Sequence, residues 1–556
     1  MRNTTESDDE RLPPTPVSAS SGSRQRRPST GDVIAGLSVA LVAVPQSLAY
    51  AELAGLPAEY GLYASAVPSM AAAFFVSSRQ LQTGPVALTS LLTFGALSPL
   101  AATFSPDYVT LAALLALMVG GLRVLLGLVK AGRVAYLLSE PVVLGFTTAA
   151  AILITASQLP KVFDARQPGD GVLLDAFWSL VRVNEWQWQA VAFSVGVAAI
   201  MVLGRRIHAL FPGALLAVLV ALLISEVAGY EGSVVGELSG SFVSLNLDFP
   251  WSSAGQLVLP AVAIALVGFA EPASIARTFA AQDRESWSAD REFVSQGVAN
   301  LASGLSGAFP VGGSFSRSSL NRLAGATSPW AGAITGLAVL LAVPLTPALA
   351  NLPRAVLGAV VIVAVAKLIK VGDLVKLIGQ SGGQAVVGIG TLAAVLASAP
   401  RVERGVAAGF VLSLLVHLYR ELSITVDAEV RDETLVIRPH GVLWFATVPA
   451  IDAKIRNHIA DNPDVSSILL NLGAVGRLDF SGAAALARIS EESAAVGIPV
   501  HFSNISPNCD RAARIHLLRA EEASIDEATL DGATGDDQTV SKGAAADDTA
   551  TASGAR

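Results

Sequence analysis

Cysteine is almost absent from the 556-residue chain, which holds Cys509 alone, together with six histidines and charged residues at only 15% of positions. One thiol excludes an intramolecular disulfide framework and a cysteine-built zinc site, and the scattered histidines have no metal-ligand spacing. No nucleophile, base and orienting group recur at a recognisable spacing, and there is no nucleotide loop, so an enzyme and a cofactor are not expected. The net charge of −8 gathers partly near the C-terminus and no basic face accompanies it, which argues against nucleic acid as a partner. What fills the chain is apolar, with 52% hydrophobic residues and a mean hydropathy of +0.56. Those values describe a polytopic protein whose main partner is the lipid bilayer.

Residues 1–30 are rich in Ser, Pro, Arg and acids and read as a disordered cytoplasmic leader, too long and polar for the start of a cleaved signal peptide. From 32 to about 420 apolar segments follow one another, and the roughly twenty residues a spanning helix needs imply about fourteen spans. Their approximate positions are 32–54, 60–77, 84–99, 108–129, 136–159, 188–204, 209–229, 257–281, 291–308, 314–326, 328–349, 354–371, 383–399 and 402–420. Segments 84–99 and 314–326 are too short, each begins after a Gly or Pro break, and each falls third in a set of seven, as half-helices do.

Loop charge orients the spans, because Lys and Arg gather on the cytoplasmic side. Inner loops then hold Arg79; Arg123, Lys130 and Arg133; Arg205 and Arg206; Arg277, Arg284 and Arg291; and Lys367, Lys370 and Lys376. Outer stretches 55–61, 98–107 and 228–253 contain neither, although Lys161, Arg166, Arg182, Arg401 and Arg404 depart from the rule. Both termini are expected in the cytoplasm. Residues 163–189, with Trp178, Trp186 and Trp188, read as an outer loop or interfacial helix.

After Tyr419 the pattern changes to short alternating runs. Residues 434–438, 442–446, 467–472 and 499–504 read as strands and 449–461 and 481–495 as helices, which makes a small α/β domain over 427–520. An acidic tail, 521–556, cannot bury a core.

Residues 309–321, FPVGGSFSRSSLN, combine a chain break, small hydroxyls and Arg317 inside an apolar region. Gly312 and Gly313 interrupt a helix, and Ser314, Ser316, Ser318 and Ser319 crowd the next helix start, where hydroxyls cap free N–H groups. A second such start lies at TGPVALTSLL, residues 83–92, where Val86, Ala87 and Leu88 offer backbone N–H groups. Two helix N-termini of about +0.5 charge each, with Arg317, give a site near +2 that favours an anion. On the first span Gln46 and Tyr50 are four apart and share one face. Glu52 reads as interfacial. Glu271 lies about 14 residues into an apolar helix, roughly 20 Å along its axis. An intramembrane carboxylate is a candidate for proton exchange, and ionised it would lower the site to about +1. The plainer alternatives are a Ser-rich loop with an arginine reaching water, a Gln46 that only joins helices, and a structural ion pair between Glu271 and a cation such as Arg317. In the soluble domain Ser481 of DFSG reads as the N-cap of a helix.

Together VPQSLAYAELAGLPAEYGLYAS, TGPVALTSLL, EPASIARTFA, GGSFSRSSLNRLAGA and LDFSGAAAL resemble the sulfate permease (SulP) family of anion transporters, over about 31–518. The resemblance implies a seven-plus-seven inverted repeat (about 31–230 and 257–421) forming core and gate domains, then a STAS domain, in a homodimer. It places an anion between the third and tenth helix starts, with Gln46 and Tyr50 lining the site, Val86 and Ala87 as backbone donors, and Ser316 and Arg317 opposite. Glu271 matches the acid of members thought to couple to protons. Paired aspartates expected of sodium-coupled bicarbonate members are missing, which disfavours sodium. Ser481 resembles a serine phosphorylated in other STAS proteins. The function implied is proton-coupled uptake of sulfate or a similar small oxyanion or dicarboxylate by an elevator-like movement, in a bacterial inner membrane. The alternatives are bicarbonate or carboxylate transport without proton coupling, and a membrane-anchored STAS signalling scaffold.

Overall fold

A computed structural model of the protein describes residues 27–532 apart from 137, 138, 167, 170, 209, 506–508 and 510. Nearly all of the expected leader, and the tail beyond 532, lie outside the described residues. The chain divides into two compact units between Ser413 and Leu414.

The first unit is helical. In order it contains α1 (Thr30–Leu53), α2 (Glu59–Phe75), α3 (Ala87–Leu97), α4 (Pro106–Leu128), α5 (Glu140–Phe163), α6 (Val172–Val181), α7 (Trp188–Ile207) and α8 (Gly213–Ala228). There follow α9 (Ala254–Asp283), α10 (Ala289–Leu305), α11 (Phe315–Leu323), α12 (Trp330–Ala342), α13 (Arg354–Val365), α14 (Val371–Gln380), α15 (Gly382–Ser398) and α16 (Val402–Leu422), which crosses the division. Each expected span coincides with one of these helices. The two additions are α6, inside the tryptophan-rich stretch read as interfacial, and α14, a short amphipathic helix that the apolar count passed over. Among the described residues eight helical stretches are long and apolar enough to cross a membrane. α3 and α11, with 11 and 9 residues, are half-helices.

Helix pairings repeat between the two sets of seven. α4 packs on α10 as α12 packs on α2, α1 on α12 as α9 on α4, and α5 on α15 as α13 on α7. Exchanging α1–α5, α7 and α8 with α9–α13, α15 and α16 turns each of these pairs into its counterpart. Because seven is odd, the second set enters from the opposite side, so the repeat is inverted. Close approach comes from small residues: a Cβ added to Gly120 would stand 2.5 Å from Leu301 N, and one added to Gly297 would stand 2.7 Å from Val124 N. α4 and α10 are therefore in backbone contact, which in lipid supplies the packing that water would otherwise drive.

Two short strands precede the half-helices, β1 (Thr83–Gly84) and β2 (Gly312–Gly313). The second unit contains β3 (Thr425–Arg431), β4 (Thr434–Leu443), α17 (Val448–Asp461), β5 (Ser467–Asn471), β6 (Val475–Leu478), α18 (Phe480–Ala494), β7 (Val500–Ser503) and α19 (Arg511–Gly532). β3 is antiparallel to β4, while β5 and β6 run parallel to β4 and β7 parallel to β5. Leu435, Ile437, Ile468, Leu470 and Val500 are fully buried and form its core with Leu486 of α18. Three expectations are corrected here. Residues 434–443 form one strand, β4, since Pro439 and Gly441 stay within its pairing, and 444–446 lie beyond its end. α19 continues to Gly532, because helix formers and acids outweigh low complexity over 521–532, so those residues are not a structureless tail. Asp479, not Ser481, caps α18: its side chain accepts from Gly482 N at 2.7 Å, and Ser481 Oγ donates to it at 2.8 Å.

Candidate anion site

The starts of the two half-helices meet tip to tip. β1 and β2 pair antiparallel, Thr83 against Gly313 and Gly84 against Gly312. The join is extended by Ser314 N donating to Gln82 O at 2.9 Å and Gln82 N donating to Ser318 Oγ at 2.9 Å. Ser314 caps α11 by accepting from Arg317 N. α3 begins differently, because Val86 at its N-cap is extended and no side chain caps it. The first-turn N–H groups of α3 thus have no capping side chain, and the macrodipole makes them an anion-binding end. Val86 and Ala87 are both buried.

Arg317 crosses from α11 to the other tip. Its Nη2 donates to Pro85 O at 2.7 Å, the residue is 1% exposed, and its Nε has no hydrogen-bond partner. A Cβ on Gly84 would lie 2.9 Å from Arg317 Nη1 at a φ of +154°, so the guanidinium rests directly on the β1 backbone. Glu271, from α9, accepts at Oε1 from Phe315 N at 3.4 Å. It is bonded to the α11 backbone and not to the guanidinium. Tyr50 lies in the electrostatic field of both Arg317 and Glu271. Gln46, one turn earlier on α1, is buried with both amide atoms unpartnered, and the Ser47 and Ser90 hydroxyls are likewise unpartnered. Ser316 is exposed, its Oγ 3.3 Å from Ser314 Oγ.

Arg123 corrects the loop-charge reading. It is fully buried in α4, not in an inner loop, and donates to Ile264 O at 2.8 Å, Ala265 O at 3.1 Å and Val311 O at 3.1 Å. Asn300 Nδ2 donates to the same Val311 carbonyl at 3.1 Å, while Asn300 Oδ1 accepts from Val311 N at 2.9 Å. Ser303 Oγ holds Phe309 O at 2.6 Å. Side chains therefore satisfy the Phe309 and Val311 main-chain groups in the break before α11, as irregular backbone at membrane depth requires. The signal for Arg123 was its place within an apolar run, two turns before Lys130. Glu52 also departs from its interfacial expectation. Its side chain is 4% exposed, pairs with Lys161 Nζ at 3.0 Å and lies 3.9 Å from Arg354 Nε, tying α1 to α5 and α13.

The model of the sulfate permease family matches residues 30–391, and that of the STAS domain residues 425–526. The chain belongs to the sulfate permease family. Among relatives in that family, a probable sulfate transporter of Mycobacterium tuberculosis is 34% identical over 402 residues, 71% of each chain. The chloroplastic sulfate transporter 4.1 of Arabidopsis thaliana is 28% identical over 537 residues, 89% of this chain and 77% of that one. Human solute carrier family 26 member 6 is 35% identical over 367 residues, 60% of this chain and 47% of that one. The murine solute carrier 26 family member A9 anion transporter, solved in an inward-facing state, shares the fold at a TM-score of 0.79 and 22% identity, covering 92% of this chain and 93% of that one. The transmembrane domain of the cyanobacterial bicarbonate transporter BicA matches at a TM-score of 0.59 and 19% identity, over 69% of this chain and 97% of that one. As a sulfate permease family member, the protein is a multi-pass membrane anion transporter and not an enzyme.

Proposed function

We propose that this transporter takes up sulfate, or a small oxyanion or dicarboxylate of similar charge, together with protons. The observation that carries the reading is the antiparallel join of β1 and β2, with Arg317 bonded to one tip and Glu271 to the other. The two helix ends and the guanidinium sum to about +2, which Glu271 reduces to about +1 when ionised. Val86, Ala87, Ser316 and Arg317 hold the anion, and Gln46 and Tyr50 close the site from α1. Taking a proton on Glu271 removes its negative charge while leaving an oxygen to accept from Phe315 N, and restores the charge that a divalent anion needs. Because the site rests on α1, α3, α9 and α11, it travels with a core formed by α1–α4 and α9–α12. That core moves as a body against a gate formed by α5–α8 and α13–α16, in a homodimer whose termini face the cytoplasm of a bacterial cell.

The test is uptake by the purified protein in proteoliposomes, with sulfate, bicarbonate and dicarboxylates compared under imposed pH and sodium gradients. Sulfate uptake driven by an inward proton gradient and indifferent to sodium is expected. Uptake of bicarbonate alone, unaffected by the pH gradient, would replace this reading with carboxylate or bicarbonate transport. No uptake of any anion would leave the STAS unit as the business end of a signalling scaffold.

A further inference from the structure

Lys and Arg are sparse on the side of the membrane opposite the N-terminus, yet Arg401 stands there just before α16 and Arg404 in the first turn of that helix. With Ser98 and Pro99 from the end of α3, and residues 397–400 from the end of α15, they line a cavity of about 510 Å³. Among the described residues neither guanidinium forms an ion pair with a carboxylate. Glu403, between them in sequence, is itself buried at 6% exposure, with an unpartnered Oε2. Ser98 Oγ is shielded from solvent and has no hydrogen-bond partner. The cavity floor is tightly built, since a Cβ on Gly95 would stand 2.2 Å from Pro400 O. Two guanidiniums at one hollow, in the electrostatic field of Glu403 but without an ion-pair contact to it, match a tetrahedral oxyanion, which arginine binds through paired N–H donors.

The place of the hollow matters as much as its charge. α3 presents its first-turn N–H groups to the candidate anion site, and Ser98 and Pro99, just past its other end and roughly 16 Å further along the axis, line this cavity. One short helix therefore joins the two. We propose that the Arg401–Arg404 hollow is an outer capture site for sulfate-like oxyanions, which concentrates the anion at the mouth before it reaches Arg317. This deepens the transport reading above and rests on its orientation, with the N-terminus inside. A cleft of one charge sign raises local counter-ion concentration and encounter rate. The ligand chemistry is a tetrahedral oxyanion, supplied either by dissolved sulfate or by a phospholipid headgroup, and the test separates the two.

Ala397 lines the hollow and is exposed, so it serves as a reporter in the full-length protein carrying Cys509→Ser and Ala397→Cys. Anionic and cationic membrane-impermeant thiosulfonates are applied from outside to oriented proteoliposomes. The anionic reagent is expected to react roughly tenfold faster than the cationic one, with the preference abolished in Arg401→Gln/Arg404→Gln. Sulfate is expected to slow the anionic reagent even when Arg317→Gln has removed the central site, which keeps this outcome independent of transport. Each variant is first checked for a monodisperse elution profile, so that misfolding is not read as lost capture. An unchanged reagent preference in the double Gln variant, or no protection by sulfate in the Arg317→Gln background, would overturn the proposal. Protection seen in detergent but not in phospholipid bilayers would overturn it too, by assigning the hollow to a lipid headgroup. A wild-type protein that transports no anion yet shows arginine-dependent protection would sink the transport reading and leave the capture site standing.

Discussion

Glu271→Gln isolates the carboxylate's charge from its shape. The amide oxygen of glutamine can still accept from Phe315 N, as Glu271 Oε1 does at 3.4 Å, so the start of α11 keeps its partner. An anion seated on the same first turn would lie about 6 Å from that carboxylate, and at an effective dielectric of about 20 two unit charges at that distance repel by about 3 kcal/mol. That is about a hundredfold in affinity for each unit of anion charge. The sign follows from linkage: if protonated Glu271 favours the anion, bound anion must favour protonated Glu271 by the same factor. Wild-type sulfate affinity should therefore rise as the pH falls, while Glu271→Gln should bind with the acid-side affinity at every pH. Equilibrium binding by titration calorimetry between pH 5 and 8 measures the first effect. Uptake into proteoliposomes under a pH gradient measures the second: the Gln variant should exchange internal for external sulfate but no longer accumulate it. A Gln variant that still accumulates sulfate in response to the pH gradient, as wild type does, would refute the reasoning.

Gly84→Ala places a methyl group 2.9 Å from Arg317 Nη1 at a φ of +154°, so the guanidinium must leave Pro85 O; sulfate uptake should fall at least roughly tenfold while the protein elutes normally. Glu52→Gln leaves Lys161 without its carboxylate at the junction of α1, α5 and α13 and should destabilise the membrane unit by about 1–3 kcal/mol, read as a lower melting temperature in detergent. Asp479→Ala removes the α18 cap and should cost about 1 kcal/mol in the unfolding of the STAS unit, whereas Ser481→Ala, which leaves Gly482 N capped, should cost less.

The membrane architecture was legible because its physics is written locally. Apolar length announced the spans, and the pairing of Gly84 with Pro85 and of Gly312 with Gly313 announced the breaks, whereas single prolines such as Pro45 and Pro272 are carried inside helices. The pairing of the two tips was also foreshadowed, by the recurrence of a break at the third place in each set of seven. Arg123 was misread for a physical reason: loop-charge counting treats every arginine near a span end as solvated, and only the fold shows three carbonyls converging on this one. Glu52 was misplaced in the same way, because its partners are more than a hundred positions away in the case of Lys161 and about three hundred in that of Arg354. In the STAS unit the buried strands β5 and β7 carried a clear apolar signal. β3 and β6 did not: β3 is only partly covered, and two of the four residues of β6 are exposed.

The stitch between β1 and β2 is made of main chain, and its two closest partners on one side are glycines. Peptide groups are common to every residue, so replacements of side chains elsewhere in the site leave this join in place. A change of cargo could therefore be written into Gln46, Tyr50, Ser90 and Ser316 without touching the frame that presents the helix ends, much as a lock is rekeyed by its pins while the cylinder stays in place.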